Sequence, residues 1–194
     1  DDGKGSLLVA TGNSGSPEAA NDPTSLAGKV LRIDGFGNPA PGNPDANSPV
    51  LSSGLADPGG ICGTAEAGTY WVTDRGANQD SLYEIRPGKP FSTPAWSWKD
   101  QPGVAGCVAN QGLVVVALTD SRAVYTMHPT GSGTFTGEPT KAMENTFGRF
   151  SAAALGKDGL LWLGTTNKDG GDPVSSDDRV LRIEPPTGGS AGKE

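Results

Sequence analysis

This sequence predicts an all-β chain built from repeated antiparallel units, on three observations. The first is composition. Thirty glycines and 16 prolines make up nearly a quarter of the 194 residues, roughly twice the average share. They follow no three-residue period, so a collagen-like chain is excluded. Apolar residues are 34% and recur along the whole length, which argues against disorder. The second is the shape of the apolar runs. They are five to seven residues long, rich in Val, Leu, Tyr and Trp, and bounded by Gly, Asn, Asp or Pro. That suits strands and is too short for good helices. The third is an internal repeat.

Each repeat reads as a glycine, a short strand, a polar connection and a return strand. The first unit runs from Gly5 to Thr11 and returns through Lys29 to Ile33. The second is Gly68 to Thr73, returning through Ser81 to Ile85. The third is Gly112 to Leu118, returning through Ala123 to Met127. The fourth is Gly159 to Thr165, returning through Arg179 to Ile183. The leading glycines lie 63, 44 and 47 residues apart, the spacing of β-propeller blades. A glycine in that place suits a tight turn of positive φ. About four blades are countable, and a β-sandwich with irregular loops is the alternative.

Between the units, residues 34–58 read as a long proline-rich connection with little regular structure. Trp96 and Trp98, at strand spacing, suggest an outer strand. Residues 131–145 read as polar and turn-rich. Trp71 and Trp162 hold the same place in two units, which predicts packing between blades rather than a sugar platform. Residues 1–184 are therefore expected to form the propeller blades, and 185–194 a flexible tail.

The net charge is −7 and the pI near 4.7. No basic patch marks a nucleic-acid binder, and anionic membrane surfaces are poor partners for such a chain. The longest apolar run, Leu113 to Leu118, is far short of the roughly 20 residues of a membrane-spanning helix. Cys62 and Cys107 precede their repeat glycines by six and five residues. They thus hold nearly equivalent places, on the innermost strands of adjacent blades. A disulfide between them fits that placement; two buried free thiols are the alternative. His128, the sole histidine, precedes Pro129 away from any nucleophile motif and reads as a turn-edge residue. No phosphate-cradling glycine loop occurs.

Several phrases resemble the soluble, PQQ-dependent glucose/sorbosone dehydrogenase family. They are Asp2-Gly3, Leu8-Val9-Ala10-Thr11-Gly12 and Leu26 to Asp34 in the first unit, and Trp71 to Gly76 with Asp80-Ser81-Leu82 in the second. In the fourth they are Phe147 to Phe150, Gly156 to Leu163, Thr166 to Gly170 and Asp177 to Ile183. The resemblance implies a six-bladed propeller with PQQ and calcium on its top face. It also implies hydride transfer from a sugar hydroxyl to the cofactor, with a histidine as base. The match starts mid-blade, so the chain reads as the C-terminal part of a longer propeller. The family's catalytic histidine would lie upstream, and the missing N-terminal blades would be its partners. A self-contained four-bladed fold is the alternative.

Two family motifs are altered. Where the family carries Gly-x-Arg-Asn-Pro, this chain has Gly54-Leu55-Ala56-Asp57-Pro58. Where the family carries Gly-Arg-x-Arg, it has Gly148-Arg149-Phe150-Ser151. The resemblance makes Arg149 the candidate cofactor-binding residue; the alternative is an arginine paired with a neighbouring carboxylate. Asp169, Asp177 and Asp178, with Asp172, form an acidic glycine-rich loop whose hard oxygens suit calcium, although aspartates are also common turn residues. With arginines missing, the expected function is a degenerate, extracytoplasmic binding or scaffold module of this family. It would hold no cofactor and would serve an unknown protein or carbohydrate ligand. The alternative is a working PQQ-dependent aldose dehydrogenase, with PQQ and calcium. An upstream lipid anchor, as in envelope lipoproteins of this type, would fit either.

Overall fold

The computed structural model describes residues 2–64, 68–110, 112–130, 132–170 and 173–185. The first unit is a three-stranded sheet of β1 (Leu7–Ala10), β2 (Lys29–Ile33) and β3 (Val50–Ser53). Between its first two strands lies the short helix α1 (Pro17–Asn21). The second unit is β4 (Pro58–Thr64), β5 (Thr69–Arg75), β6 (Asp80–Glu84) and β7 (Trp96–Trp98). The third is β8 (Val104–Asn110), β9 (Leu113–Leu118), β10 (Ala123–Pro129) and β11 (Phe135–Ala142). The fourth is β12 (Phe150–Leu155), β13 (Leu161–Thr165) and β14 (Val180–Ile183). Every sheet is an antiparallel meander in chain order. These are four propeller blades. Gly5, Gly68, Gly112 and Gly159 all sit at φ between +66° and +82°, as the repeat requires of a residue without Cβ.

Three sequence expectations need correcting. Residues 34–58 are not merely a connection, because Val50–Ser53 pairs with β2 as an outer strand. Residues 135–142 are not turn-rich but an eight-residue strand paired with β10. Outer strands are half-solvated and held by ladder hydrogen bonds, so they need no apolar pattern; Phe135, 5.6 Å from the Trp71 ring, and Ala142 anchor the two ends of β11. Trp162 is not packed between blades. It is 38% exposed and lies under the Arg182 guanidinium, whereas Trp71 is buried and donates its indole N–H to the Gly133 carbonyl at 3.0 Å. The tail residues 186–194 lie outside the described residues.

Three apolar layers separate the four blades. Val30, Leu51, Leu55, Val72 and Ile85 fill the first interface. Trp71, Leu82, Trp98, Val114, Val116 and Met127 are among those filling the second. Val115, Ala117, Val124, Phe150, Leu161 and Leu163 fill the third. Alternate residues of β9 thus enter opposite layers. A strand buried on both faces reads as an unbroken apolar run, which is why Leu113 to Leu118 is the longest in the chain. The end blades are covered on one face only among the described residues. Leu7 and Val9 of β1, and Trp162 and Val180 on the last sheet, are exposed.

The innermost strands β4, β8 and β12 lie side by side at the axis. Here backbones nearly touch: a Cβ on Gly60 would stand 2.9 Å from Gly106 Cα, and one on Gly106 would stand 2.9 Å from Ala152 Cα. Cys62 and Cys107 join β4 to β8 through a disulfide, with Cα atoms 5.4 Å apart. The disulfide alternative of the sequence is the one that holds.

One buried cation fixes the first blade. Lys29 is 0% exposed, and its ammonium donates to the carbonyls of Ala19 at 2.9 Å, Ala20 at 2.8 Å and Ala27 at 2.7 Å. It ties α1 and the chain behind it to β2. Lys29→Met would strand these carbonyls away from water. We expect it to lose about 3 kcal/mol in urea unfolding; a loss under about 1 kcal/mol would show that the clamp is dispensable.

Candidate functional site: one rim of the propeller

In a meander, alternate connections emerge at the same end. The links β1–β2, β3–β4, β5–β6, β7–β8, β9–β10, β11–β12 and β13–β14 therefore share one rim. Hydrogen bonds run from link to link along it. Asn13 N–H donates to the Ala56 carbonyl, Asp120 N–H to Pro102, Asn145 N–H to Arg122 and Thr166 N–H to Arg149. Connections usually carry function because the sheets hold them rigidly.

Buried side chains at strand ends shape this rim. Asp74, 4% exposed, accepts the N–H groups of Ala56 at 3.0 Å and Asp57 at 2.8 Å, which fixes the β3–β4 link. Burial pushes its carboxyl pKa up. The two N–H groups oppose that rise, while the charges of Asp57 and Asp80 add to it. Asp80, 2% exposed, accepts the N–H groups of Gly103 at 2.7 Å and Val104 at 3.0 Å, fixing the β7–β8 link. Asn167 accepts the Arg149 N–H at 2.7 Å and donates to the Phe147 carbonyl at 2.8 Å. Sequence reasoning did not single out these three. The legible signal is a polar side chain within two residues of an apolar strand, and it does not distinguish a loop-holding residue from an ordinary turn residue.

Three rim arginines face carboxylates. Arg149 Nη1 lies 3.3 Å from Asp120 Oδ1, Arg75 Nη2 lies 2.7 Å from Asp57 Oδ2, and Arg179 Nε lies 3.0 Å from Asp177 Oδ1. The acidic loop is also tied inward. Asp177 accepts the Val174 N–H at 3.0 Å. That bond, aided by Asn167 and Arg179 and opposed by burial, holds its carboxyl below the usual range. Asp178 accepts the N–H groups of Asn167 and Lys168. Asp169 accepts the Thr166 hydroxyl at 2.7 Å; Asp172 lies outside the described residues. Among the described residues, no three His, Cys, Asp or Glu side chains come together as a metal-ion site. His128 is remote from this rim: its ring Nδ1 lies 3.1 Å from the Gly112 carbonyl at the opposite end.

Residues 1–112, more than half of the chain, match the family model described as Glucose / Sorbosone dehydrogenase. The chain belongs to the glucose/sorbosone dehydrogenase family. A stretch of 103 residues is 27% identical to the aldose sugar dehydrogenase YliI of Escherichia coli (strain K12), covering 50% of this chain and 28% of that protein. Among solved structures, the PQQ-bound form of aldose sugar dehydrogenase from Streptomyces coelicolor superposes with a TM-score of 0.85 at 30% identity. That match covers 92% of this chain and 58% of the other. An oxidoreductase of Thermus thermophilus, described as a glucose dehydrogenase, gives 0.85 at 29% identity, covering 92% and 61%. This chain thus spans less than two thirds of each of these relatives.

The PQQ-bound relative prompts a test of fit for PQQ, a tricarboxylate best held by forked guanidinium pairs. Ala56 and Asp57 occupy the altered Gly-x-Arg-Asn-Pro run, and Asp57 puts a carboxylate there. Ser151 stands where the second arginine of Gly-Arg-x-Arg would be. Arg149 alone remains of those guanidinium groups, and Asp120 faces it. The described rim of this family member thus carries one of the guanidinium groups of those motifs. Among the described residues, no helix is long and apolar enough to cross a membrane.

Proposed function

We propose that this chain belongs to an extracytoplasmic propeller of the glucose/sorbosone dehydrogenase family that has lost its grip on PQQ and serves as a binding or scaffold module. One observation carries the reading: three arginines of the rim, Arg75, Arg149 and Arg179, each face a protein carboxylate. The Arg149 pair is partly exposed and weak, so Asp120 is readily displaced. One guanidinium nonetheless cannot replace the missing ones, each worth roughly 1.5–3 kcal/mol per charged hydrogen bond. An oxidising compartment is supported by the Cys62–Cys107 disulfide, since such bonds persist mainly outside the cytosol. Further blades closing a ring are supported by the uncovered faces at Leu7 and Val9 and at Trp162 and Val180. The greater length of the relatives supports this too. The ligand of the module would be a protein or a carbohydrate.

The competing reading, a PQQ-dependent aldose dehydrogenase, draws on the similarity to aldose sugar dehydrogenases. Calorimetric titration of PQQ with calcium into the full-length protein separates the two. We expect no saturable heat. Micromolar or tighter binding at one site would overturn the scaffold reading, because the redox chemistry resides in the cofactor.

A further inference from the structure

At the end of the blades opposite the rim, a cavity of about 330 Å³ opens between the second and third blades. The β6–β7 link lines it with Arg86, Lys89, Phe91 and Thr93, and the β10–β11 link with Thr134. Glu84, the last residue of β6, borders it as well. The volume is at the lower end of those that hold small molecules.

A carboxylate is fixed in its wall. Arg86 donates from Nε, at 2.9 Å, and from Nη2 to a single oxygen of Glu84, Oε2. Oε1 has no partner among the described residues, and the Glu84 side chain is 23% exposed. Gly133, at φ +80°, makes room for this carboxylate, because a Cβ there would overlap it. The Trp71 indole N–H holds the Gly133 carbonyl at 3.0 Å. The third blade thus backs a carboxylate carried by the second. Thr134 belongs to a cluster of hydroxyls on the same link. Thr130 Oγ1 lies 2.8 Å from Ser132 Oγ and 2.8 Å from Thr134 Oγ1, and the last two lie 3.2 Å apart. Hydroxyls that share protons in this way keep lone pairs for a further partner and can donate by rotating.

The groups around the cavity differ in what they ask of a ligand. An anion would face Glu84, and a cation would face Arg86 and Lys89. A neutral molecule that donates to one and accepts from the others suits all of them, and the hydroxyl groups of a sugar do both. Phe91 adds an apolar wall for C–H groups. We propose that this cavity is a binding site for a neutral pyranose unit of a carbohydrate. One sugar hydroxyl would donate to Glu84 Oε1, and others would exchange hydrogen bonds with Arg86 and Thr134. The proposal rests on the binding-module reading, whose ligand class it names, and the site is at the opposite end from the rim.

The test is titration of the full-length protein with methyl α-D-glucopyranoside, followed by NMR chemical shifts. Cyclohexanol, a ring of like size with one hydroxyl, is the control. The blocked anomeric carbon of the glycoside keeps it from being oxidised as an aldose would be. We expect saturable one-site binding with a Kd of about 1 mM, since the contacts are few and partly exposed. We expect none for cyclohexanol over the same range. Glu84→Ala should weaken binding about tenfold, as for the loss of a hydrogen bond to a charge. Thr134→Val keeps the branched shape and removes one exposed hydroxyl, so the fold is retained; it should weaken binding about fivefold. Absence of saturation, equal binding of cyclohexanol, or unchanged affinity in both variants would overturn the proposal. Tight PQQ binding in the separate calorimetric titration would overturn the scaffold reading alone.

Discussion

Gly106→Val is expected to leave the protein unable to fold at 37 °C. A Cβ at this position would lie 2.9 Å from Ala152 Cα and 3.0 Å from Ala153 N and the Ser151 carbonyl oxygen. All three are backbone atoms of β12, so no rotamer change relieves the contact. The other side is equally closed, because a Cβ on Gly60 would meet Gly106 Cα at 2.9 Å. β8 is wedged between two strands and can yield only by moving a blade. Overpacking in a core typically costs 1–3 kcal/mol, and this wedge against backbone on both sides should cost more, about 4 kcal/mol or beyond. Thermal unfolding followed by circular dichroism reads the effect directly. Gly112→Ala is the control: Gly112 has φ +82° but open space around its Cβ, so it should lose only about 1 kcal/mol from backbone strain. If the two variants lose similar stability, close packing at the axis does not hold the blades together.

The second large effect is expected from the disulfide. Cys62 and Cys107 are 45 residues apart and link the innermost strands of adjacent blades. Closing a loop of that length removes chain entropy from the unfolded state, by about 4 kcal/mol on the entropic model. Cys62→Ala with Cys107→Ala should therefore lower stability by about that amount in urea. Reduction of the unaltered protein should do the same. A loss below about 1 kcal/mol would show that apolar packing alone secures the second interface. That interface includes Trp71, Leu82 and Trp98, so a partial loss of stability with retained sheet content is the expected form of the result.

These two predictions bear on function through the rim. The rim links are fixed by Asp74, Asp80 and Asn167, whose positions depend on how neighbouring blades meet. A blade that shifts at the axis moves the link above it. Arg149 and Asp120 come from different blades, so their pairing is sensitive to the same shift.

The sequence was legible wherever burial acts on a strand locally. β1, β2, β5, β6, β9, β10, β13 and β14 were read from short apolar runs with leading glycines, because a strand packed on a blade face must carry apolar side chains. The innermost strands β4, β8 and β12 escaped that reading, apart from the cysteines carried by β4 and β8. They are rich in Gly and Ala, which propensity does not assign to strands, and their composition follows from the approach of a neighbouring backbone. β3 and β11 escaped for the opposite reason: they are outer strands, and ladder hydrogen bonds hold them more than apolar burial does. The two family-motif arginines absent from this chain were visible as Ala56 and Ser151. That Asp120 faces the remaining Arg149 was not, since these residues are 29 positions apart.

The sequence by itself determined the all-β class, the repeat, the family likeness and the altered cofactor motifs, because each is written in residue identity and local spacing. Only the tertiary structure decided which partner each charge has. It placed Lys29 on three carbonyls and Arg149 against Asp120, and it left the Tyr70 hydroxyl buried without a hydrogen-bond partner among the described residues. Such pairings depend on which blades become neighbours, and chain spacing does not encode the distance between two side chains that meet only across a packed interface.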